Sequence, residues 1–164
     1  MTDLKEKPLP ALLIREMQPN DRGFIAHSYL NTAQHCFAWR NMPGPAFRAF
    51  GSRLLDQLLA RAQVLVMCAK DEPDKLFAFS IAERPFKDIE QIVLHFIFVR
   101  RSYHQRGLCG SLMRTLGYDA NRRTPIFATH DNPAWYLLGS KYRSIYNPFF
   151  LWPEFQTDPK ERAA

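Results

Sequence analysis

The chain has 164 residues, of which 46% are hydrophobic and 13% aromatic, and its formal net charge is +6 at pH 7. A chain of this length forms one domain and buries a core without disulfide or metal support. The apolar fraction excludes a largely disordered chain, and the most apolar windows, 64–69 and 92–99, are too short to span a membrane. The positive charge favours an acidic partner, although many small domains are equally basic without one.

Cysteine and histidine spacing excludes several kinds of site. Cys36, Cys68 and Cys109 are isolated and form no CxxC pair, which indicates reduced thiols in a cytoplasmic protein. The histidines lack the HxH, HxxxH and HExxH spacings, so we expect no metal site. We expect an N-terminal arm over 1–10, one domain over 11–156 and a charged tail over 157–164.

The first half of the chain predicts one strand and two helices. A short strand covers 12–16, and the residues 19–21 have the character of a helix start. Apolar residues at helical spacing carry this helix to about Cys36. A second helix is predicted over 46–62, after the Pro- and Gly-rich breaker at 42–45, because its apolar residues recur at i, i+3, i+4 and i+7.

The pattern then changes to strands. Apolar runs at 63–69 and 76–83 flank the polar turn at 71–74 and predict a β-hairpin. The run at 91–99 is longer and more apolar, which predicts a central strand.

The rest of the chain predicts a helix and shorter elements. Gly107 opens a helix that ends near Asn121. Residues 125–129 predict a strand, 133–138 a short helix and 145–151 a final extended segment. This order predicts an α/β or α+β fold in which a mostly antiparallel sheet leads into a strand–loop–helix unit.

The transition from strand to helix after Val99 carries the clearest chemical signal. A helix N-terminus leaves backbone N–H groups unpaired, and the helix dipole adds positive potential. Gly107 and Gly110 allow a phosphate to approach the backbone closely. The basic residues around this point are Arg100, Arg101, His104 and Arg106. We therefore expect a diphosphate site, although neither a Walker loop nor a GxGxxG fingerprint is present.

The same stretch resembles motif A of the GNAT acyltransferase superfamily, [RQ]-x-x-G-x-[GA] after a strand and a Tyr-containing loop. Aligned on Tyr103, His104 stands at the Arg/Gln position, Gly107 at the first Gly and Cys109 at the final Gly/Ala. The order of elements over roughly 11–151 is also similar. The resemblance implies a GNAT-like mixed, mostly antiparallel sheet flanked by helices, with a splayed central strand pair.

The resemblance also implies an acetyl-CoA-dependent N-acyltransferase in which an amine attacks the thioester directly. The diphosphate would lie on the backbone of 106–111, and the pantetheine beside the strand end at 98–100. The implied cofactor-binding residues are Phe98, Val99, Arg100, His104, Gln105, Arg106, Gly107, Leu108, Cys109, Gly110 and Ser111. Members of this superfamily are often dimers, so a homodimer is a further expectation.

Acyl transfer to an amine needs a base for the incoming ammonium. His95 in the central strand and His130 at the end of the next one are candidates, because imidazole titrates near neutral pH. Strict alternation places His95 on one face of its strand with the odd-numbered residues of 93–99 and the even-numbered ones on the other. Each histidine could equally be a hydrogen-bonded structural residue.

Three further residues have competing interpretations. Tyr146 is the candidate acid for the departing thiolate, since a phenol with a pKa near 10 suits a proton donor, but 146–148 could also be a structural turn. Asp131 is predicted to cap a helix that begins at Pro133. Cys109 is predicted to be a small packing residue rather than a nucleophile, because no group that would orient a Cys–His pair can be assigned.

Nucleic acid is an alternative partner. The segments 129–131 and 146–149 resemble the C-terminal part of small phage-encoded GNAT proteins, which raises nucleic acid as an acceptor. An aromatic and basic region between the first two helices could stack an unpaired base or could form a hydrophobic seam. Its members are Phe37, Trp39, Arg40, Phe47, Arg48, Phe50 and Arg53. A third interpretation is a small binding module whose basic loop holds another phosphorylated ligand.

Overall fold

A mixed β-sheet organises the protein. The computed structural model describes residues 8–85, 91–118, 125–131 and 142–152. Within them lies a six-stranded sheet whose strands follow the order of the chain. They are β1 (Leu12–Glu16), β2 (Gln63–Ala69), β3 (Leu76–Glu83), β4 (Val93–Val99), β5 (Ile126–Ala128) and β6 (Ser144–Tyr146). The strands β1 to β4 pair antiparallel, whereas β4, β5 and β6 pair parallel. The predicted fold class, including the hairpin and the central position of β4, is confirmed.

Three helices flank the sheet, namely α1 (Arg22–Ala33), α2 (Gly44–Arg61) and α3 (Leu108–Thr115). The first ends earlier than predicted, because the chain turns tightly after it, with the Cys36 amide bonded to the Ala33 carbonyl. The second begins at Gly44 rather than at 46, since proline is tolerated in a first helical turn. The predicted end of α3 near 121 and the predicted short helix at 133–138 lie outside the described residues. No helix in the described part of the chain is long and apolar enough to cross a membrane.

The sheet is buried on both faces. The helices α1 and α2 cover one face, where Phe79 and Phe96 lie in the same cluster as Tyr29 and Leu58. The helix α3 covers the other face through Leu108, Leu112 and Met113. Because both faces are covered, β2 and β3 are buried at all positions except the first residue of β2. Sequence runs of this kind are continuous in apolar residues rather than alternating.

The face predicted for the residues of β4 is partly wrong. Phe96 lies opposite Ile81 and Leu94 opposite Ala82, so the register shifts by one residue and His95 is the extra residue of a β-bulge. Leu94 therefore packs with Ile97 and Val99 on the α3 face, whereas strict alternation placed it with Phe96 and Phe98.

The final segment is not extended throughout, as 145–151 was predicted to be. The strand β6 ends at Tyr146, and Pro148–Leu151 forms a 3-10 helix. Asn147 caps this turn, because its side chain accepts a 3.1 Å hydrogen bond from the Phe149 amide. Proline cannot donate to a strand ladder, which favours the end of β6 before position 148.

The core on the α1 and α2 face gives a direct stability test. Phe79 is fully buried and stacks on the rings of Phe96 and Phe98 at centroid distances of 6.0 and 5.5 Å. We expect Phe79→Ala to lower the free energy of unfolding by about 3–5 kcal/mol, since it leaves a cavity. Urea denaturation measures this. The control Phe37→Ala removes a ring that is 61% exposed and is expected to change stability by about 0.5 kcal/mol or less. Equal effects of the two changes would contradict the assignment of the core.

Candidate functional site

The two parallel central strands separate soon after they meet. Their pairing is confined to Val93 opposite Phe127 and Leu94 opposite Ala128. The last backbone bond between them runs from the Thr129 amide to the Leu94 carbonyl, at 3.2 Å. Among the described residues, no strand pairs with the rest of β4 on that side. We call the space beyond this last bond the β4–β5 opening.

The free edge of β4 carries backbone groups that face this opening. The Arg100 amide bonds back to Phe77 of β3 at 2.8 Å, so the groups of the preceding residue, Val99, face the other way. The Val99 carbonyl accepts a 2.8 Å hydrogen bond from His104 Nε2. His104, which stands at the Arg/Gln position of the motif, thus folds back onto the end of β4, and its side chain is exposed there.

The start of α3 has the backbone of an anion site. Gly107 is the residue before the helix and has φ of 79°, a left-handed conformation that glycine adopts without steric cost. It has no side chain to accept from the first amides of α3, which also lack partners within the helix. Leu108 is buried against the sheet and holds this end of the helix in place. Gln105 is also left-handed, with φ of 62°.

Positive charge surrounds this helix start. The stretch 100–118 contains four arginines and no acidic residue. Two of the guanidinium groups lie over aromatic rings, Arg100 over Phe24 at 4.9 Å and Arg106 over Tyr103 at 5.7 Å. Such stacking orients a guanidinium group. Tyr103 packs on Phe77 on the α3 face of the sheet, so the Arg106 guanidinium lies on the same face as the helix. Phe24 packs on Phe79 and Phe98 on the opposite face, so the predicted Arg100 guanidinium lies away from the start of α3.

Small residues line the first turn of α3. A Cβ at Gly110 would lie 3.5 Å from both Arg114 Nη1 and Tyr142 Oη, which is ordinary contact. Cys109 is half-buried and packs against the α3 side of the core, as a packing residue would. The Ser111 hydroxyl donates to the Gly107 carbonyl at 3.3 Å and accepts from Arg114 at 3.1 Å.

His95 lies where the two strands separate and is only 1% exposed. Its Nδ1 is 3.2 Å from the Thr129 hydroxyl, and its Nε2 is 3.4 Å from Glu83 Oε1 without hydrogen-bond alignment. Burial lowers the pKa of His95, and Glu83 offsets this only in part. Its Nδ1 therefore faces Thr129 and its Nε2 faces Glu83, and the ring is shielded from solvent.

His130 is also buried, at the end of β5. Its Nε2 lies 2.8 Å from the Tyr29 hydroxyl and its Nδ1 3.0 Å from the Thr129 hydroxyl. The rings of Tyr29, Trp39 and Phe96 surround it edge-on. This burial, reinforced by the nearby charge of His95, lowers the pKa of His130 to about 3, so the ring is neutral at physiological pH.

Glu83 and Arg61 complete this buried group, which sequence reasoning missed. Arg61 Nε donates to Glu83 Oε1 at 2.5 Å, and its Nη2 donates to the carbonyls of Phe150 and Leu151. Burial raises the pKa of Glu83, but His95 and Arg61 outweigh it and hold the pKa below its ordinary value. Glu83 and Thr129 follow apolar runs in the sequence, yet only the register of β3, β4 and β5 places them beside His95.

Tyr146 lies at the end of β6 with 38% of its surface exposed. Burial of its phenol and the nearby charges of Asp131 and Cys36 raise the pKa of Tyr146. The next amide, Asn147, bonds to the Ala128 carbonyl at 2.7 Å, which places Tyr146 beside the end of β5. The Phe37 amide bonds to the Asp131 carbonyl at 3.0 Å and ties the α1–α2 loop to the same point. The helix that Asp131 was predicted to cap lies outside the described residues.

The aromatic and basic region divides into buried and exposed parts. Trp39 and Phe47 are buried, with ring centroids 6.1 Å apart, as in a hydrophobic seam. Phe37 is exposed, and the Arg40 guanidinium lies 4.6 Å above its ring.

Comparison with known proteins finds solved structures whose fold is similar to that of this chain. No protein-family model and no curated protein matches the chain. An integron cassette protein from the mobile metagenome of V. cholerae is 15% identical, with 81% of this chain and 83% of that chain covered and a TM-score of 0.51. At this identity the similarity shows a shared fold.

Two solved structures with lower scores have acetyltransferase descriptions. A possible acetyltransferase from Clostridium difficile 630 is 16% identical over 72% of this chain and 76% of that chain, with a TM-score of 0.48. Aminoglycoside N-acetyltransferase AAC(6')-Iy in complex with CoA is 15% identical over 95% and 83%, with a TM-score of 0.40.

The buried histidines predict a loss of stability in acid. An unfolded histidine titrates near 6.5, whereas His130 in the fold has a pKa of about 3. Between these values the unfolded chain binds a proton that the folded chain does not, so stability falls as pH falls. We expect His130 to contribute a slope approaching about 1.4 kcal/mol per pH unit, measured by urea denaturation between about pH 7 and pH 4.5.

The variant His130→Gln isolates this contribution. It is expected to be less stable at pH 7 but to lose less stability on acidification. His27→Gln changes an exposed histidine and is expected to keep the wild-type slope. If His130→Gln retained the wild-type slope, the assignment of His130 as a neutral buried ring would be wrong.

Proposed function

We propose that this chain is an N-acetyltransferase with acetyl-CoA as co-substrate and an amine as acceptor. The observation that supports it is that the β4–β5 opening and the acid-free start of α3 lie at the same end of the sheet. β4 ends at Val99, and the chain then reaches α3 at Leu108 through one basic loop. In open α/β sheets, ligands bind beyond the carboxyl ends of parallel strands. A long thioester with a diphosphate at its far end matches an opening of this kind joined to an anion site.

The diphosphate would lie on the first turn of α3. The backbone amides of 108–110, within the predicted stretch 106–111, would supply the donors, because the Ser111 amide already bonds to the Gly107 carbonyl. The Arg106 guanidinium, which lies over Tyr103, would add positive charge. Gly107 adopts the left-handed conformation that precedes the helix and puts no side chain into this space. The Leu108 side chain would hold the helix start in position by packing against the sheet, and it would not touch the phosphates.

The pantetheine would run along the free edge of β4, over Phe98, Val99 and Arg100. Its amide groups can pair with backbone groups that no described strand satisfies. The His104 side chain already occupies the Val99 carbonyl. We therefore expect this imidazole to move away or to share the carbonyl when co-substrate binds, and an exposed side chain can do so at low cost.

Acetyl transfer would proceed by direct attack of the amine nitrogen on the thioester carbonyl carbon. The C–N bond forms, the C–S bond breaks, and Tyr146 would donate its proton to the departing thiolate. The surplus proton of the amine passes to water at the open mouth of the site, and Tyr146 regains a proton from solvent. His95 and His130 would act by ordering the base of the opening, since both rings are buried and their nitrogens face protein groups.

The anion site gives the first test. We expect Gly110→Glu to weaken acetyl-CoA binding by about tenfold or more, because it adds a negative charge to the helical turn that would hold the diphosphate. The fold should tolerate the change, since a Cβ meets only ordinary contacts at this position and an acidic residue is favourable in a first helical turn. Isothermal titration calorimetry with acetyl-CoA measures the affinity.

The matched control is Gln57→Glu, which makes the same change in charge on the exposed face of α2. It is expected to bind acetyl-CoA as the wild type does. Wild-type protein that does not bind acetyl-CoA would overturn the proposed function, and equal affinity of both variants would place the diphosphate elsewhere.

The proton donor gives the second test. We expect Tyr146→Phe to lower kcat by about 100-fold while the KM for acetyl-CoA changes by about twofold or less, because the phenol acts only on the departing thiolate. Release of the free CoA thiol, with lysine peptides, polyamines and aminoglycosides as acceptors, measures turnover. Tyr118→Phe, which alters a ring that packs on Tyr142, is the control and should retain kcat. A Tyr146→Phe enzyme with normal kcat would exclude Tyr146 as the acid.

Nucleic acid is the second candidate partner. The exposed Phe37 ring, with Arg40 above it, is the observation that favours it, because a base can stack on such a pair. Affinity for single-stranded DNA that falls steeply with salt and needs no CoA would indicate this alternative.

A further inference from the structure

A line of hydrogen-bonding side chains crosses the base of the β4–β5 opening. It joins Tyr29 of α1, His130 and Thr129 after β5, His95 of β4 and Glu83 of β3, and we call it the vertex chain. The first three contacts are hydrogen bonds of 2.8 Å, 3.0 Å and 3.2 Å. The fourth is a 3.4 Å approach of His95 Nε2 to Glu83 Oε1, without hydrogen-bond alignment. All five residues are less than 9% exposed. Burial of five adjacent polar side chains is unusual, because a buried polar group that loses its partner incurs a desolvation cost. We therefore ask what these residues do in the site.

The Glu83 carboxylate at one end of the vertex chain determines the direction of these hydrogen bonds. Glu83, held as a carboxylate by Arg61, can only accept. The negative charge of Glu83 favours the tautomer of His95 that carries its proton on Nε2, the nitrogen that faces Glu83. The other nitrogen of His95, Nδ1, then has a lone pair. The Thr129 hydroxyl has one proton and three neighbours that could accept it, namely His130 Nδ1 at 3.0 Å, His95 Nδ1 at 3.2 Å and the His95 carbonyl at 3.4 Å. Only donation to His95 Nδ1 gives both rings a partner, because His130 Nδ1 can carry a proton of its own and donate to the Thr129 oxygen.

The direction of the remaining hydrogen bonds in the vertex chain is then determined. The Thr129 oxygen, having donated its proton, accepts from His130 Nδ1–H. His130 Nε2 is therefore the acceptor for the Tyr29 hydroxyl. Each group from Tyr29 to His95 donates to the next one in the same direction, and the last proton, on His95 Nε2, faces Glu83.

We propose that Thr129 is a positioning residue that couples His95 to His130, fixing His95 as its Nε2–H tautomer and His130 as its Nδ1–H tautomer. Its place next to the last β4–β5 backbone bond gives this coupling a role in the site. A hydroxyl that holds both strands at this point sets the width of the opening in which the thioester would lie. This second statement rests on the proposed acetyl transfer, whereas the order of protons does not.

The order of protons can be observed directly. We expect long-range ¹H–¹⁵N NMR spectra of wild-type protein to show one buried histidine protonated at Nε2 and one at Nδ1, with single-site substitutions assigning them to His95 and His130. In Thr129→Val, which keeps the shape but removes the hydroxyl, the His95 and His130 signals should both shift. In Thr129→Ser, which keeps the hydroxyl, they should stay close to the wild type. A wild-type His95 protonated at Nδ1 would overturn the proposal, even if the valine variant did not fold.

Kinetics separate the positioning role from a purely structural one. We expect Thr129→Val to lower kcat by about tenfold with little change in the KM for acetyl-CoA, and Thr129→Ser to recover most of kcat. Coupled histidine signals with unchanged kcat in Thr129→Val would overturn the positioning role. Absence of acetyl transfer and of CoA binding in the wild type would instead overturn the proposed function, and the NMR comparison would still decide whether Thr129 couples the two rings.

Discussion

The point at which β4 and β5 stop pairing is the constraint on which the site depends. Up to Leu94 and Thr129 the two backbones satisfy each other. Beyond it, their polar groups need other partners, because an unpaired buried N–H or C=O is costly. The chain supplies side chains at both ends of the gap: the Thr129 hydroxyl bonds to the His95 ring, and His104 reaches the Val99 carbonyl. The polar character of the opening is a consequence of separating two central strands.

Burial of charge beside this gap is possible because the charges are matched. Glu83 lies between Arg61 and His95, and Arg61 also donates to the carbonyls of Phe150 and Leu151. Removing one member of such a group costs more than the group contributes, since a buried charge is left uncompensated. The same residues therefore hold the segment after β6, the end of α2 and the base of the opening, so that the stability of the fold and the geometry of the site are linked.

Much of the architecture could be predicted from local sequence. The bounds of β1, β2 and β3 agree with prediction, because apolar runs end at polar turn residues that cannot continue a strand. The start of α3 at Gly107 also agrees, since a left-handed residue before a helix strongly favours glycine. The proposed anion site could be predicted from the same few residues, because its amides and arginines are neighbours along the chain.

The environment of His95 was decided by the tertiary structure. The bulge in β4 moves Leu94 to the face opposite the predicted one, and only strand register brings Glu83 and Thr129 to His95. The sequence by itself determined the elements, the helix start and its charge, because those depend on residues within a few positions of each other. The vertex chain joins residues up to 101 positions apart. Spacing along the sequence carries no information about which distant side chains will meet.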